Sequence, residues 1–260
     1  MDLKDLAHRQ LADYDRREPG GLFTGNLLSL TIEDAYALQV EVARLRQERG
    51  ERIAGYKVGC VSQVMQNQLG LDRPVFGHVF ATEVHAPDAV LDPGGFAGLA
   101  IEGELAVRIG KDVPDANWIG QHPAEVIFSA FPVIELHNYI FRNDPHTAQE
   151  LIGNNAIHAG VVMPGVEPPL TDPALVQDIP ITVSINGAVL GTSSGRALPG
   201  GPLASVVRLA EHLAKFGRSI RAGEIVLTGS PLPLYRVGAG DRIEVTSGGS
   251  IAVRARIAGP

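Results

Sequence analysis

The stretch Leu99-Ala-Ile-Glu-Gly-Glu-Leu-Ala-Val-Arg-Ile109 carries two glutamates, Glu102 and Glu104, inside an otherwise apolar run. Its alternation predicts a strand over 101–109, with Ile101, Leu105, Val107 and Ile109 on one face. Glu102 and Glu104 then share the other face, about 7 Å apart along the strand. Gly103 between them leaves room on the opposite face for a close neighbour. A second apolar run, Phe131-Pro-Val-Ile-Glu-Leu136, holds Glu135. A buried carboxylate is costly unless a positive group meets it. No lysine or arginine stands beside Glu102 or Glu104 on the near side of the run, so a divalent cation is the simplest counter-charge. Three carboxylates without a thiol favour a hard ion, Mg²⁺ or Mn²⁺, over Zn²⁺. The plainer alternative is the wet face of an amphipathic strand.

Outward from this segment the chain divides unevenly. Residues 1–50 are expected to form an N-terminal helical segment and 51–260 a catalytic mixed-β domain, together one compact unit. Residues 1–17 alternate at helical spacing until Glu18-Pro-Gly-Gly21. Thr31-Ile-Glu-Asp34 resembles a capping box that opens a long helix, ended by Gly50. Strands are expected at 53–60, 130–136, 156–163 and 225–229. Ser62 is expected to cap a short helix that Gly70 ends. Asn186-Gly187 turns a hairpin over 181–190, and 241–247 pairs with 250–257 across Gly248-Gly249. An amphipathic helix is expected over 202–216. Strands mixed with a few helices, without regular βα alternation, indicate an α+β fold.

The chain has 260 residues, net charge −7, 5 % aromatic residues and one cysteine, Cys60. Interspersed acidic charge and few aromatics argue against nucleic acid and anionic membranes as partners. A single cysteine excludes an internal disulfide and a thiolate metal cluster. No run reaches membrane-spanning length and Met1-Asp-Leu-Lys-Asp lacks signal-peptide character, so a cytoplasmic location is expected.

Other residues suit chemistry by type and setting. Lys57, in Gly55-Tyr-Lys-Val-Gly59, can face a cavity holding an anion, where a nearby metal and desolvation would lower its pKa from about 10.4 and allow proton transfer; the alternative is a snorkelling edge lysine. Asn154, Asn155 and His158 precede an apolar strand and can orient a carboxylate or a water. Thr228-Gly-Ser-Pro231 offers hydroxyls at a glycine turn, with Thr228 and Ser230 as candidate substrate contacts. His137 is a candidate outer partner or fourth ligand, and His78 a candidate lining residue. Cys60 reads as a small buried apolar residue. There is neither a phosphate-binding lysine loop nor a nucleophile elbow.

Seven segments in order, Gly55-Tyr-Lys-Val-Gly59, Gln68-Leu-Gly-Leu-Asp72, Pro74-Val-Phe-Gly77, Ile101-Glu-Gly-Glu104, Pro132-Val-Ile-Glu135, Asn186-Gly187 and Ala222-Gly-Glu-Ile-Val-Leu-Thr-Gly-Ser230, resemble the 2-keto-4-pentenoate hydratase / 2-oxohexenedioate decarboxylase family of the fumarylacetoacetate hydrolase superfamily. The resemblance implies a mixed β-sandwich roll with N-terminal helices. It implies Mg²⁺ or Mn²⁺ on Glu102, Glu104 and Glu135, an active-site Lys57, a 2-oxo acid substrate and a homo-oligomer. Where the family usually has an aspartate this chain has Val75. Where it often reads Asp-Asn-Ala-Ser, this chain has Asn154-Asn-Ala-Ile157 followed by His158, so His78, Asn154 and His158 become the expected replacements. His158 is thus expected to join Lys57 as a catalytic residue, with His78, Asn155, Thr228 and Ser230 on the substrate.

The leading expectation is a metal-dependent hydratase of a 2-hydroxy-2,4-dienoate from aromatic catabolism. The alternatives are a 2-oxohexenedioate decarboxylase, an acylpyruvate-type C–C hydrolase and a non-catalytic 2-oxo-acid binder. A dicarboxylate substrate would need a further basic group, from Arg142, Arg196 or Arg236.

Overall fold

The computed structural model describes residues 2–18, 21–26, 30–140, 147–248 and 251–259. The helices are α1 (Leu3–Arg16), α2 (Ile32–Glu48), α3 (Gln63–Leu69), α4 (Ala116–Gln121), α5 (Pro123–Val126), α6 (Ala148–Gly153) and α7 (Gly201–Ala214). The strands are β1 (Ile53–Gly59), β2 (Val75–Phe80), β3 (Val84–His85), β4 (Ala89–Leu91), β5 (Leu99–Ile109), β6 (Ile127–Asn138) and β7 (His158–Val162). They continue with β8 (Pro180–Ile185), β9 (Ala188–Ser194), β10 (Ile225–Leu227), β11 (Tyr235–Arg236), β12 (Arg242–Ser247) and β13 (Ile251–Ile257).

Local signals account for many boundaries. The Thr31 hydroxyl accepts from the Asp34 N–H and the Asp34 carboxylate accepts from the Thr31 N–H, a reciprocal cap on α2. Ser62 caps α3 and Gly70, at φ 65°, ends it in the left-handed region. Asn186 and Gly187, both at positive φ, turn the β8–β9 hairpin. The β12–β13 pairing also forms; Gly249 of its turn lies outside the described residues.

Two sheets result. The larger runs β2-β1-β10-β5-β6-β7-β3, with β11 on β5; the smaller runs β4-β13-β12-β8-β9. Ile101 and Leu105 of β5 and Ile134 and Leu136 of β6 pack against Val183, Val245 and Val253 of the smaller sheet. Gly103 stands at this crossing: a Cβ there would lie 2.4 Å from Val183 Cγ2. Further along β5, Val107 and Ile109 pack against the layer that includes Leu209 and Leu213 of α7.

The opposite face of the larger sheet is its concave interior. Registers align Lys57, Leu227, Ala106 and Phe131 in one row, and Glu102, Glu135 and Val161 in another. Val79, Phe131, Val133, Val161 and Leu227 form an apolar floor there. The curl closes where β2 meets the turn before β7. The Asn155 amide accepts from the His78 N–H at 2.7 Å and donates to the His78 carbonyl at 2.8 Å. Gly77 is required here because a Cβ would stand 2.7 Å from the Asn155 carbonyl.

The N-terminal helices pack on α6 and the β2 end. Arg46 of α2 lies 3.6 Å over the Phe80 ring and pairs with Glu83 at 2.7 Å, both buried, and Tyr14 of α1 donates to the same carboxylate. No helix among the described residues is long and apolar enough to cross a membrane.

His78 and His212 are buried on the helix-covered side, His78 against Tyr56 and His212 against Phe76 and Tyr36. Burial is the largest cause that pushes their pKa values down, to about 3 and about 4. Both are neutral when folded and protonate near pH 6.5 when unfolded, so the stability they allow is complete above that pH and falls as pH drops below it. Unfolding free energy is expected to fall by about 3 kcal/mol between pH 7.5 and 5.5, at roughly 1.4 kcal/mol per proton per pH unit once titration is under way. Urea titrations of wild type and a His78→Leu, His212→Phe double variant check this. An equally steep acid loss in the double variant would refute the assignment.

Candidate active site

Glu102 and Glu135 are direct cross-strand partners, and Glu104 lies two residues further along the same face. Oxygens of Glu102 and Glu135 and a nitrogen of His137 lie within 4.8 Å of one another. His137 Nε2 is 3.2 Å from Glu102 Oε2 and 3.5 Å from Glu135 Oε2. Glu104 Oε2 accepts from the Gly229 N–H at 3.0 Å.

Lys57 reaches this cluster from across the curl. On a flat sheet β1 and β6 stand three strand spacings apart, about 14 Å. Curvature brings Lys57 Nζ to 3.3 Å from Glu135 Oε1, and Nζ donates to the Ala156 carbonyl at 3.4 Å. His158 Nδ1 lies 2.7 Å from the same Glu135 oxygen. Three consecutive non-glycine residues, Asn155, Ala156 and Ile157, hold positive φ of 55°, 52° and 56° before His158. A β-branched residue such as Ile157 rarely adopts that backbone, and such strain concentrates at functional sites. Here it aims the Ala156 carbonyl at Lys57.

The electrostatics fit a divalent cation. Three carboxylates and one ammonium leave two negative charges. Burial, with the charges of Glu135 and Glu102, raises the Glu104 pKa well above the carboxylate range. Burial opposes ionisation of Glu135, but Lys57, His137 and His158 outweigh it and hold its pKa low. Burial alone would depress the Lys57 ammonium; Glu135, Glu104 and Glu102 more than offset it, so its pKa is raised. That corrects the expectation of a lowered lysine pKa: desolvation is the largest single influence on Lys57, and the three carboxylates exceed it only together. Glu104 Oε1, Glu135 Oε2 and both His137 nitrogens are buried without a hydrogen-bond partner. Such groups are rare unless something else completes them. An oxygen-rich set with one imidazole suits Mg²⁺ or Mn²⁺. His137 therefore joins the three glutamates as a residue able to hold the ion.

The remaining candidates are placed differently. His78 pairs with Tyr56 on the face opposite Lys57, because the side-chain period of two turns it outward. Asn155 spends both amide groups on the His78 backbone. The Thr228 hydroxyl donates to the Leu105 carbonyl at 2.8 Å, and the single Ser230 O–H lies between the carbonyls of Leu232 at 2.7 Å and Gly103 at 3.2 Å while its oxygen accepts from the Leu232 N–H. These four side chains hold the frame, and the turn's contribution to the glutamates is the Gly229 N–H. The Cys60 thiol, half-buried, is pushed by burial up to about 11, which keeps it a poor nucleophile. Arg196 pairs with Asp178 on the surface. Arg142 lies outside the described residues. Arg236 is paired with Ala100 in the row of His137, so it shares the glutamates' face, and its guanidinium lies 4.1 Å over the Tyr139 ring.

Comparison with known proteins agrees with this architecture. The family model described as fumarylacetoacetate (FAA) hydrolase C-terminal matches residues 58–258. A 4-oxalocrotonate decarboxylase of Pseudomonas putida is 31 % identical over 239 residues, covering 90 % of this chain and 88 % of that protein. A 2-hydroxyhexa-2,4-dienoate hydratase of Comamonas testosteroni is 30 % identical over 226 residues, covering 85 % and 84 %. Among solved structures, 4-oxalocrotonate decarboxylase from Pseudomonas putida G7, complexed with magnesium and adipate, superposes with a TM-score of 0.89 at 25 % identity, covering 98 % and 97 % of the two chains. With the match extending from the end of β1 through β13, this chain belongs to the fumarylacetoacetate hydrolase family.

Proposed function

We propose that this protein is a metal-dependent hydratase that converts a 2-hydroxy-2,4-dienoate into a 4-hydroxy-2-oxo acid. The observation that carries the reading is the buried cluster of Glu102, Glu104, Glu135 and His137, with unpartnered ligand atoms, beside the buried ammonium of Lys57. Relatives named as hydratases, about 30 % identical, support it.

The three glutamates and His137 would hold Mg²⁺ or Mn²⁺, which supplies Lewis-acid polarisation of a 2-oxo group and its neighbouring carboxylate. Lys57, beside Glu135, can hold or move a proton at its Nζ as the dienol ketonises. The strained turn keeps Nζ aimed through the Ala156 carbonyl, and Gly229 fixes Glu104. The apolar floor of Val133, Phe131 and Leu227 excludes bulk water from the conjugated chain. We infer a homo-oligomer in the cytoplasm; exposed Val189 and Leu190 on the edge strand β9 support self-association, which light scattering tests.

Steady-state turnover of 2-hydroxypenta-2,4-dienoate with added Mg²⁺ or Mn²⁺ tests the reaction. Metal-dependent loss of dienol absorbance with a gain of one water in the product mass is expected. Metal binding without any gain of water would refute the hydratase.

Decarboxylation of a 2-oxo-enedioate is the second reading, and Arg236 favours it. It shares the face of the glutamates, is stacked on Tyr139, and has no carboxylate partner among the described residues. Adipate, held by the decarboxylase relative, is a dicarboxylate. If a distal carboxylate docks here, Arg236→Ala is expected to raise KM for a dicarboxylate about 10- to 100-fold, in the range of a charge-assisted hydrogen bond, and to leave monocarboxylate KM unchanged. Equal effects on both substrates would remove Arg236 from the site.

A further inference from the structure

The tight group of ligand atoms in the acidic cluster is not the three glutamates. It consists of oxygens of Glu102 and Glu135 and a nitrogen of His137, and Glu104 is not in it. Strand periodicity explains the membership. Glu135 and His137 are two residues apart on β6 and share a face, and Glu102 is the direct cross-strand partner of Glu135. His137 itself stands opposite Ala100, whose side chain ends at Cβ and leaves the imidazole its room. Which end of each carboxylate is engaged decides what meets the ring. Glu135 Oε1 is held by Lys57 and His158, so Oε2 is the end that faces His137. His137 Nε2 lies 3.2 Å from Glu102 Oε2 and 3.5 Å from Glu135 Oε2, yet it makes a hydrogen bond to neither, and Glu135 Oε2 has no other partner. An imidazolium serving as counter-charge would direct an N–H at one of these oxygens. Instead two oxygens and a nitrogen converge without donating to one another. Donors that share one ion at about 2.1 Å stand roughly 3.0–3.4 Å apart, from octahedral to tetrahedral angles. Both separations from Nε2 fall close to that spacing.

We propose that His137 Nε2 is a direct ligand of the ion at this site and that it makes the site select a first-row transition ion over Mg²⁺. This rests on the metal-dependent reading above and adds to it which ion is held. Mg²⁺ takes oxygen donors, gives up its waters reluctantly and is usually bound through one or two carboxylates. A nitrogen donor displaces one of those waters and returns little. Mn²⁺ and the later divalent ions accept imidazole, with affinity rising along the series from Mn²⁺ to Cu²⁺. The carboxylates keep the site hard enough for Mn²⁺, which stands at the hard end of that series. His137 thus tips a choice that carboxylates by themselves leave open. Burial sharpens it, because His137 and Glu135 are at most 1 % exposed and bulk water does not compete for their free atoms.

Metal binding and spectroscopy test this without recourse to turnover. The full wild-type chain and His137→Gln, both metal-free, are titrated by calorimetry with Mn²⁺ and with Mg²⁺, and their Mn²⁺ complexes are read by pulsed EPR. Wild type is expected to bind Mn²⁺ at least about 10-fold more tightly than Mg²⁺ and to show the hyperfine coupling of a directly bound imidazole nitrogen. Glutamine keeps an oxygen donor at the same position. His137→Gln is therefore expected to hold Mg²⁺, to lose the nitrogen coupling, and to show a preference for Mn²⁺ that has fallen about 10-fold. Mn²⁺ bound by wild type without nitrogen coupling overturns the ligand and leaves the metal-dependent reading standing. Coupling that persists in His137→Gln assigns the nitrogen to another residue and overturns it as well. An unchanged Mn²⁺-to-Mg²⁺ ratio in His137→Gln overturns the selectivity. If His137→Gln does not fold, the wild-type spectrum and the wild-type ratio decide the ligand and the preference. A wild type that binds neither ion refutes the metal-dependent reading itself, and this proposal with it.

Discussion

Glutamine in place of Glu135 is expected to weaken Mg²⁺ binding at least about 100-fold and to abolish turnover. Glu135 is the most heavily engaged of the three carboxylates. One oxygen meets Lys57 and His158, and the other faces His137. The amide keeps the shape and removes the charge. It presents an N–H₂ group to surroundings that already offer an ammonium and imidazoles. Glu102→Gln is expected to act in the same direction, although Glu102 is the more exposed of the pair. Calorimetric titration with Mg²⁺ measures the loss directly, and an isotherm identical to wild type would defeat the ligand assignment. Metal-free Glu135→Gln also loses the counter-charge of a buried lysine. Truncating one partner of a buried pair typically costs about 3–5 kcal/mol, so its denaturation midpoint is expected to fall as well.

Lys57→Met is expected to lower kcat by about 10²–10⁴, the usual contribution of a positioned proton-transfer group, while Mg²⁺ binding persists. The thioether side chain fills the same buried channel without the ammonium. Removing that charge leaves three carboxylates against the cation, so the metal isotherm is not expected to weaken. The two variants thus separate the roles: Glu135→Gln loses metal and turnover together, Lys57→Met turnover alone. Unchanged turnover in Lys57→Met would remove the lysine from the mechanism. Lost metal binding would make Lys57 part of the framework that builds the ligand cluster.

What was legible in the sequence had a local cause. The Thr31 and Ser62 caps, the Asn186-Gly187 turn and the common face of Glu102 and Glu104 each follow from neighbours within four residues. Gly103 was readable too, because alternation alone says which face lacks a side chain. The role of a hydroxyl or amide was not. Thr228, Ser230 and Asn155 are types that suit a substrate, yet their partners are the carbonyls of Leu105, Gly103 and His78. The side on which His78 falls is not legible either, because the strand Val75–Phe80 is buried throughout and shows no alternation.

The sequence by itself determined the elements, the mixed α+β class, and which carboxylates share a face, since these depend on backbone periodicity and nearby caps. Only the tertiary structure decided which distant groups meet. The curl of the larger sheet carries Lys57 across three strand spacings to Glu135, and the Asn155 clamp on β2 locks that closure. The counter-charge at the glutamates depends on that closure, because it is not set by the spacing of residues along one strand or helix.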